Sequence, residues 1–121
     1  MENQRVDFVN HKGKRILLID FTHLGSGEHT PHVERIRSLV SKEPKNSMLT
    51  LIDASGMLLD IKAVQALKNL ANDDKPYVRA SAVVGIGGPL GLLLDGVEKF
   101  SGRTFKRFDS REQAMDWLAS Q

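Results

Sequence analysis

The chain has 121 residues, 40% of them apolar and 26% charged, which is the composition of one ordinary globular domain. Its formal charge of +2 is too small to indicate nucleic-acid binding. The absence of cysteine excludes disulfides, thiolate metal sites and cysteine nucleophiles. No signal-peptide core and no apolar run long enough to span a bilayer are present. We therefore expect a single domain over residues 1–121, located in the cytoplasm.

The N-terminal half alternates predicted strands and helices. Two strands over residues 5–10 and 15–21 form a hairpin that turns at Gly13. Thr30 before Pro31 is typical of a helix start, and that helix should end near residues 43–44, because the residue before a proline leaves helical geometry. The apolar run 48–53 predicts a buried strand, and Asp60 is placed to cap a helix that extends to about residue 72.

The C-terminal half continues this alternation. A third buried strand over 81–86 leads to a helix that starts at Pro89 and stops at Gly102. The inward-facing side chains of this helix are predicted to be Leu90, Leu93, Leu94, Val97 and Phe100. A short strand over 104–108 follows, and Ser110 with Gln113 forms a capping box for a last helix that buries Ala114, Trp117 and Leu118. The order β-β-α-β-α-β-α-β-α predicts an α/β fold with a mostly parallel five-stranded sheet and an N-terminal hairpin.

Three stretches in this order resemble the STAS domain. They are residues 51–56 (Leu-Ile-Asp-Ala-Ser-Gly), 75–85 (Lys-Pro-Tyr-Val-Arg-Ala-Ser-Ala-Val-Val-Gly) and 99–105 (Lys-Phe-Ser-Gly-Arg-Thr-Phe). The chain is most similar to a group of small, mostly uncharacterised bacterial proteins described as STAS/SEC14-like or SpoIIAA-like. The resemblance extends over nearly the full length, and it implies the STAS fold of the bacterial anti-sigma-factor antagonists.

The phosphorylation switch of those antagonists is not retained in this sequence. In that family a partner kinase phosphorylates the second serine of an Asp-Ser-Ser-Gly motif at a helix start. Here Asp60 keeps the aspartate, but Ile61 and Lys62 replace the two serines, and Ala63 replaces the glycine. Because a cation occupies the phosphoserine position, the resemblance implies a binding surface without the switch.

The glycine-rich segment 85–91 (Gly-Ile-Gly-Gly-Pro-Leu-Gly) raises the possibility of nucleotide binding, since a helix N-terminus favours anions. However, Leu90 stands where a dinucleotide site needs its third glycine, and no Lys-Ser/Thr pair follows. We therefore predict a tight turn before a helix started by Pro89.

Two sets of polar residues are candidate chemical sites. His23, His29 and His32 lie within ten residues, and the last two share the i,i+3 spacing of a metal pair, but their loop-like surroundings favour solvated surface histidines. Ser55 lies outside any nucleophile-elbow motif, so a hydrolase using it with His11 and Asp53 is disfavoured. We predict that Ser55 hydrogen-bonds its own turn.

The basic residues near the C-terminus are interpreted as protection of an edge strand. They are Arg103, Lys106, Arg107 and Arg111. Without interleaved aromatic side chains they do not indicate a nucleic-acid platform, whereas cations on an edge strand discourage pairing with other chains. We expect no enzyme activity, no metal and no cofactor.

These patterns together predict a non-enzymatic regulatory domain that binds a protein partner. The candidate surface lies at the C-terminal edge of the sheet and comprises Ser55, Gly56, Met57, Asp60, Ile61, Lys62, Gly87, Gly88 and Leu92. The alternative is a binding protein for a small apolar or amphiphilic, lipid-like ligand at the same edge, as the SEC14-like resemblance implies.

Ile61 and Leu92 lie off the apolar stripes of their helices. With Met57, Leu58 and Leu59 they predict an apolar surface that pairs in a homodimer or holds the apolar ligand. The competing interpretation is that the loop over 57–59 folds over and covers itself.

Overall fold

The computed structural model describes residues 5–24, 28–58 and 60–121, and it confirms the predicted α/β class and order of elements. The strands are β1 (Val6–His11), β2 (Lys14–Asp20), β3 (Met48–Asp53), β4 (Val78–Val84) and β5 (Lys106–Phe108). The helices are α1 (His29–Val40), α2 (Ile61–Asp74), α3 (Pro89–Ser101) and α4 (Arg111–Ala119), with a 3-10 turn (Lys75–Tyr77) between α2 and β4. None of the helices in these ranges has the length and apolar character needed to cross a membrane.

The sheet has the order β1-β2-β3-β4-β5, in which β1 is antiparallel to β2 and all other pairs are parallel. The β1–β2 hairpin turns through Lys12 and Gly13, which both have positive φ, as a two-residue hairpin turn requires. Asp20 is level with Asp53 in the ladder, and Val84 is level with both Asp53 and Phe108. Strands β2 to β5 therefore end together, at what we call the carboxyl edge of the sheet.

Helices cover both faces of the sheet. Helices α1, α2 and α3 pack side by side, and their core joins the sheet through side chains such as Leu17, Ile19 and Ile36. Helix α4 packs against β3 and β4 on the other face, where Leu51 and Leu118 are fully buried. Because side chains alternate along a strand, Thr50 and Ile52 face the three-helix layer while Leu51 and Asp53 face α4.

Several predicted boundaries are wrong by a few residues. Helix α1 begins at His29 with Glu28 as N-cap, so Thr30 is not the cap, and Pro31 sits in the first turn, where its missing N–H costs nothing. This helix also ends earlier than predicted, at Val40. Strand β4 runs over Val78–Val84 rather than 81–86, because it pairs with the whole of β3 and stops at Gly85, whose φ is +83°. Strand β5 is two residues shorter than predicted.

The prediction that Phe100 faces inward is also wrong. The buried side of α3 runs from Leu94 and Val97 to Ser101, whose hydroxyl donates to the Val97 carbonyl at 2.7 Å. Phe100 lies to one side of this line and is more than half exposed. Two predicted helix ends are confirmed. Gly102, with a φ of +74°, follows the last residue of α3 as its C-cap, and Ser110 Oγ accepts the Gln113 N–H at the start of α4.

Candidate functional site at the carboxyl edge

The loops that follow β2 and β3 are bonded to each other through their backbones. The His23 N–H donates to the Ser55 carbonyl at 3.1 Å, and the Leu58 N–H donates to the Leu24 carbonyl at 3.2 Å. One strand further, the Ala54 N–H donates to the Val84 carbonyl at 2.9 Å. The candidate site therefore rests on backbone that is fixed by the sheet and by neighbouring loops.

Glycine at position 85 allows the loop after β4 to pack directly on the loop after β3. A methyl group there would lie 2.3 Å from Ser55 Oγ and 2.6 Å from Ser55 N. Gly56 has a similar role, because its missing side chain leaves room for the His23 ring. Close packing against Ser55 and His23 thus explains Gly85 and Gly56, of which only Gly56 belongs to the predicted surface.

Strands β2 and β3 end in the same local motif. The Asp20 carboxylate accepts the N–H of Thr22 at 2.8 Å and its hydroxyl at 2.5 Å. The Asp53 carboxylate accepts the N–H of Ser55 at 3.0 Å and its hydroxyl at 2.7 Å. These are Asx-type turns, which stabilise a chain leaving a strand. They confirm the prediction that Ser55 bonds its own turn.

Arg111, the first residue of α4, connects the two turns. Its Nε donates to Asp53 Oδ2 at 2.7 Å, and its Nη2 lies 3.8 Å from Asp20 Oδ2. Burial alone would raise the pKa of Asp53, but the hydrogen bonds from Arg111 and Ser55 outweigh it and hold that pKa below its usual value. The carboxylate is therefore ionised at neutral pH and stabilises the edge instead of acting as a base.

We expect Arg111→Leu to lower the free energy of unfolding by about 2 kcal/mol, because it leaves the buried Asp53 carboxylate without its cation. Chemical denaturation at pH 7 measures the change. Arg107→Leu is the matched control, since its ion pair with Asp95 is exposed and should contribute less than about 1 kcal/mol. Equal effects of the two substitutions would contradict the structural role of Arg111.

The structure does not bring Ser55 to His11, the candidate base of the hydrolase arrangement. His11 lies at the opposite end of the sheet, where its Nε2 is 2.7 Å from Asp116 Oδ1. The Ser55 hydroxyl is already committed to Asp53, which is itself bonded to Arg111. The hydrolase arrangement is therefore not formed by these three residues.

The expectation of solvated histidines is wrong for two of the three. His29 and His32 are only 3% and 2% exposed, while His23 is exposed. Their Nε2–H groups donate to the carbonyls of Leu58 and Asp20 at 2.9 and 3.0 Å. Burial lowers the pKa of His32 to about 4, so the ring is neutral at physiological pH.

These two histidines attach α1 to the carboxyl edge. Both pack against the Phe21 ring, with centroid distances of 6.3 and 4.7 Å. Their burial was not predicted. The predicted helix start at Pro31 left His29 outside the helix, and His32 was assigned to the same loop-like surroundings although it follows that start. With the observed start, His29 and His32 continue the buried stripe of Val33 and Ile36 at helical spacing.

Three large apolar side chains are exposed at this edge, and we call them the edge patch: Leu58 (59%), Ile61 (77%) and Leu92 (76%). Met57 does not belong to the surface as predicted. It is buried, because its side chain packs into the core beneath the loop. Leu59 lies outside the described residues. The loop therefore buries Met57, as the competing interpretation predicted, but it leaves Leu58 exposed, so the apolar surface is smaller than the predicted one.

The remaining predicted site residues frame this patch. Asp60 Oδ1 accepts the Ala63 N–H at 2.7 Å and so caps α2 as predicted, and Lys62 is exposed in the first turn of this helix. Gly87 and Gly88 are exposed in a tight turn that leads to Pro89 at the start of α3. This turn has the geometry expected for the glycine-rich segment.

The basic stretch near the C-terminus is only partly an edge-protecting group. Lys106 and Arg107 are exposed on β5, which is the edge strand of the sheet. Arg111 bonds to Asp53 on the α4 face of the sheet. Arg103 points toward the three-helix layer on the other face, where it bonds to Ser81 at 2.7 Å. The prediction is therefore wrong for Arg103 and Arg111, whose partners are distant in sequence.

No group of three or more histidine, aspartate or glutamate side chains in the described ranges is arranged to hold a metal ion. No protein-family model matches the chain, and no curated protein matches it in sequence. The geometry of the carboxyl edge therefore defines the candidate site: one loop and the first turns of α2 and α3 present three exposed aliphatic side chains.

Proposed function

We propose that this chain is a non-enzymatic, STAS-like protein-interaction domain that binds its partner through the edge patch. One observation carries the proposal. Of the four large apolar side chains exposed among the described residues, three (Leu58, Ile61 and Leu92) lie at the carboxyl edge, and only Phe100 lies elsewhere. Exposed aliphatic side chains grouped at one place are typical of interaction surfaces, whereas single ones are ordinary.

The energetics of the edge patch favour binding. Burial of one such side chain contributes about 1.5–3 kcal/mol, so three of them supply several kcal/mol of gross binding energy. Ile61 and Leu92 belong to the first turns of α2 and α3, which are supported by the Asp60 cap and by Pro89. A surface on such fixed elements loses little conformational entropy when it binds.

The polar groups at the edge support binding over a phosphorylation switch. Lys62 offers no hydroxyl where the anti-sigma-factor antagonists carry their phosphoserine. The nearby Ser55 hydroxyl donates to Asp53, which also holds Arg111. Regulation of this domain then depends on the concentration of the partner or on competition for the patch.

The partner we propose first is a second copy of the chain. An aliphatic patch is complementary to itself, because the same side chains on two molecules bury each other across a two-fold axis. A charged patch would instead repel its copy. The exposed Lys62 beside Ile61 belongs to the polar rim that interfaces of this kind carry.

Sedimentation velocity of matched variants tests this function. The wild-type chain should sediment as a dimer at micromolar concentration, and the double variant Ile61→Asp with Leu92→Asp should sediment as a monomer with unchanged circular dichroism. Phe100→Asp is the control, since it places one carboxylate at an exposed apolar position at the far end of α3, as each of the edge substitutions does at its own position, and it should remain dimeric. A wild type that sediments like the double variant would contradict the proposed pairing.

A further inference from the structure

A cavity of about 90 Å³ lies between the sheet and the three-helix layer, and it extends beneath the carboxyl edge to Met57 and Leu90. Its wall is mainly aliphatic and aromatic, including Ile36, Ile52, Leu67, Leu70, Leu93 and Phe105. Among the described residues that line it, three carry polar side chains, namely Thr50, Asp74 and Arg103. An apolar cavity with a few convergent polar groups is the usual form of a small-molecule site.

The polar groups converge around the guanidinium of Arg103. Its Nη2 donates to Ser81 Oγ at 2.7 Å, and its Nη1 donates to the Ala71 carbonyl at 3.1 Å. The Ser81 hydroxyl is in turn 2.7 Å from Thr50 Oγ1. The bonds to Ser81 and Ala71 use two of the five N–H donors of the arginine, and they fix the direction of the guanidinium.

The charge of Arg103 is only partly compensated by its surroundings. Burial lowers its pKa to about 10, although Asp74 acts in the opposite direction. Burial also raises the pKa of Asp74 to about 7, although Arg103 lowers it. Both groups are shifted toward their neutral forms, so their mutual attraction does not offset the loss of water. An anionic group brought to Arg103 would supply the missing compensation.

Arg103 also borders a surface groove. Among the described residues, it is the one that lines both the cavity and this groove, which is formed with Asp95, Glu98, Lys99, Gly102 and Thr104. The two carboxylates of this groove are already engaged. Asp95 pairs with Arg107 at 2.7 Å, and Glu98 accepts the Phe105 N–H at 2.9 Å. Arg103 is therefore placed between the groove and the apolar interior of the cavity.

We propose that this cavity binds a small monocarboxylate with a short aliphatic body, whose carboxylate contacts Arg103 and whose carbon chain lies among the apolar side chains. Arginine suits this head group because its planar fork matches the two carboxylate oxygens. The volume sets the size of the body. A 150 Å³ cavity accepts the six carbons of benzene, so one of about 90 Å³ accepts roughly four non-hydrogen atoms, which suits the carbon chain of a short carboxylate and excludes a lipid chain.

The test uses butyrate and its neutral counterpart butan-1-ol as probes of the full chain, followed by methyl and amide NMR. Butyrate should shift the methyl signals of Ile36, Leu67 and Leu93 in a saturable way. Arg103→Met should weaken butyrate binding about 10- to 100-fold, because a charged hydrogen bond is lost. Butanol binding should change less than about twofold, which also shows that the cavity of the variant is intact.

A second variant tests the cavity itself. Leu67→Phe adds volume at a half-buried lining position of α2 and should abolish the saturable shifts of both probes while the chain stays folded. Butyrate shifts confined to surface amides would overturn the proposal. So would butyrate affinity that is unchanged by Arg103→Met, or shifts that persist in Leu67→Phe.

Discussion

Gly85→Ala should lower the free energy of unfolding by about 3 kcal/mol or more, which is the largest effect we expect from a single added methyl group. Two costs add at this position. The backbone has a φ of +83°, which an L side chain adopts only with strain. The new methyl group would also lie 2.6 Å from Ser55 N and 2.7 Å from Ser55 Cα, which are backbone atoms that cannot turn aside.

Gly13→Ala separates these two costs. Gly13 has almost the same φ, +81°, but a methyl group there meets nothing within 4 Å. The Gly13→Ala variant should therefore lose only the part of the unfolding free energy that comes from backbone strain, about 1 kcal/mol. Urea denaturation of both variants measures the difference, which reports how tightly the loops after β3 and β4 pack. Equal losses would mean that the two loops are not in contact as described.

Asp74→Asn should stabilise the fold at pH 9 by roughly 3–4 kcal/mol and leave it nearly unchanged at pH 4. Burial raises the pKa of Asp74 from 3.8 in the unfolded chain to about 7 in the fold. The folded state therefore holds its proton longer, and the stability this provides is complete below pH 3.8 and is lost as the pH rises through 7. Asparagine keeps the shape of the side chain and never ionises, so this loss disappears.

The comparison is made between variant and wild type at each pH, so that titration of His32 and other groups cancels. Arg103, Arg37 and Asp73 are the charged groups that act on Asp74, and all three remain in the variant. Asp73→Asn is the control, because Asp73 is the exposed neighbour that pairs with Arg37. It should show no comparable rise in relative stability between pH 4 and 9. If the difference in unfolding free energy between Asp74→Asn and the wild type did not change with pH, burial would not raise the pKa of this carboxyl group as described.

The fold was predictable because local signals agreed with one another along the chain. The apolar run of β3 gave the bounds Met48–Asp53 without error, and Asp60 and Ser110 marked the starts of two helices through their caps. Errors of two to four residues arose where a local signal was ambiguous. Proline is tolerated at the first position of a helix and also at its third position, which Pro31 occupies here. Only the packing of His29 and His32 decides between the two helix starts.

The chemistry of the site was less predictable, because its partners are far apart in sequence. The bond between Asp53 and Arg111 spans 58 residues, and that between Arg103 and Ala71 spans 32. A run of four basic residues gives no indication of which two turn inward. One local signal was present but unused: Asp20-Phe21-Thr22 and Asp53-Ala54-Ser55 repeat the same turn motif at the ends of neighbouring strands.

The proposal that the edge patch is a binding surface is tested most directly by amide hydrogen exchange of the wild-type chain at two concentrations, one below and one above dimer formation. Slower exchange at the higher concentration should be confined to Leu58 and to residues 60–65 and 90–95 at the starts of α2 and α3. The amides around Phe100 should exchange equally at both concentrations. Exchange that is independent of concentration, or protection centred on Phe100 instead, would contradict an interaction surface at the carboxyl edge.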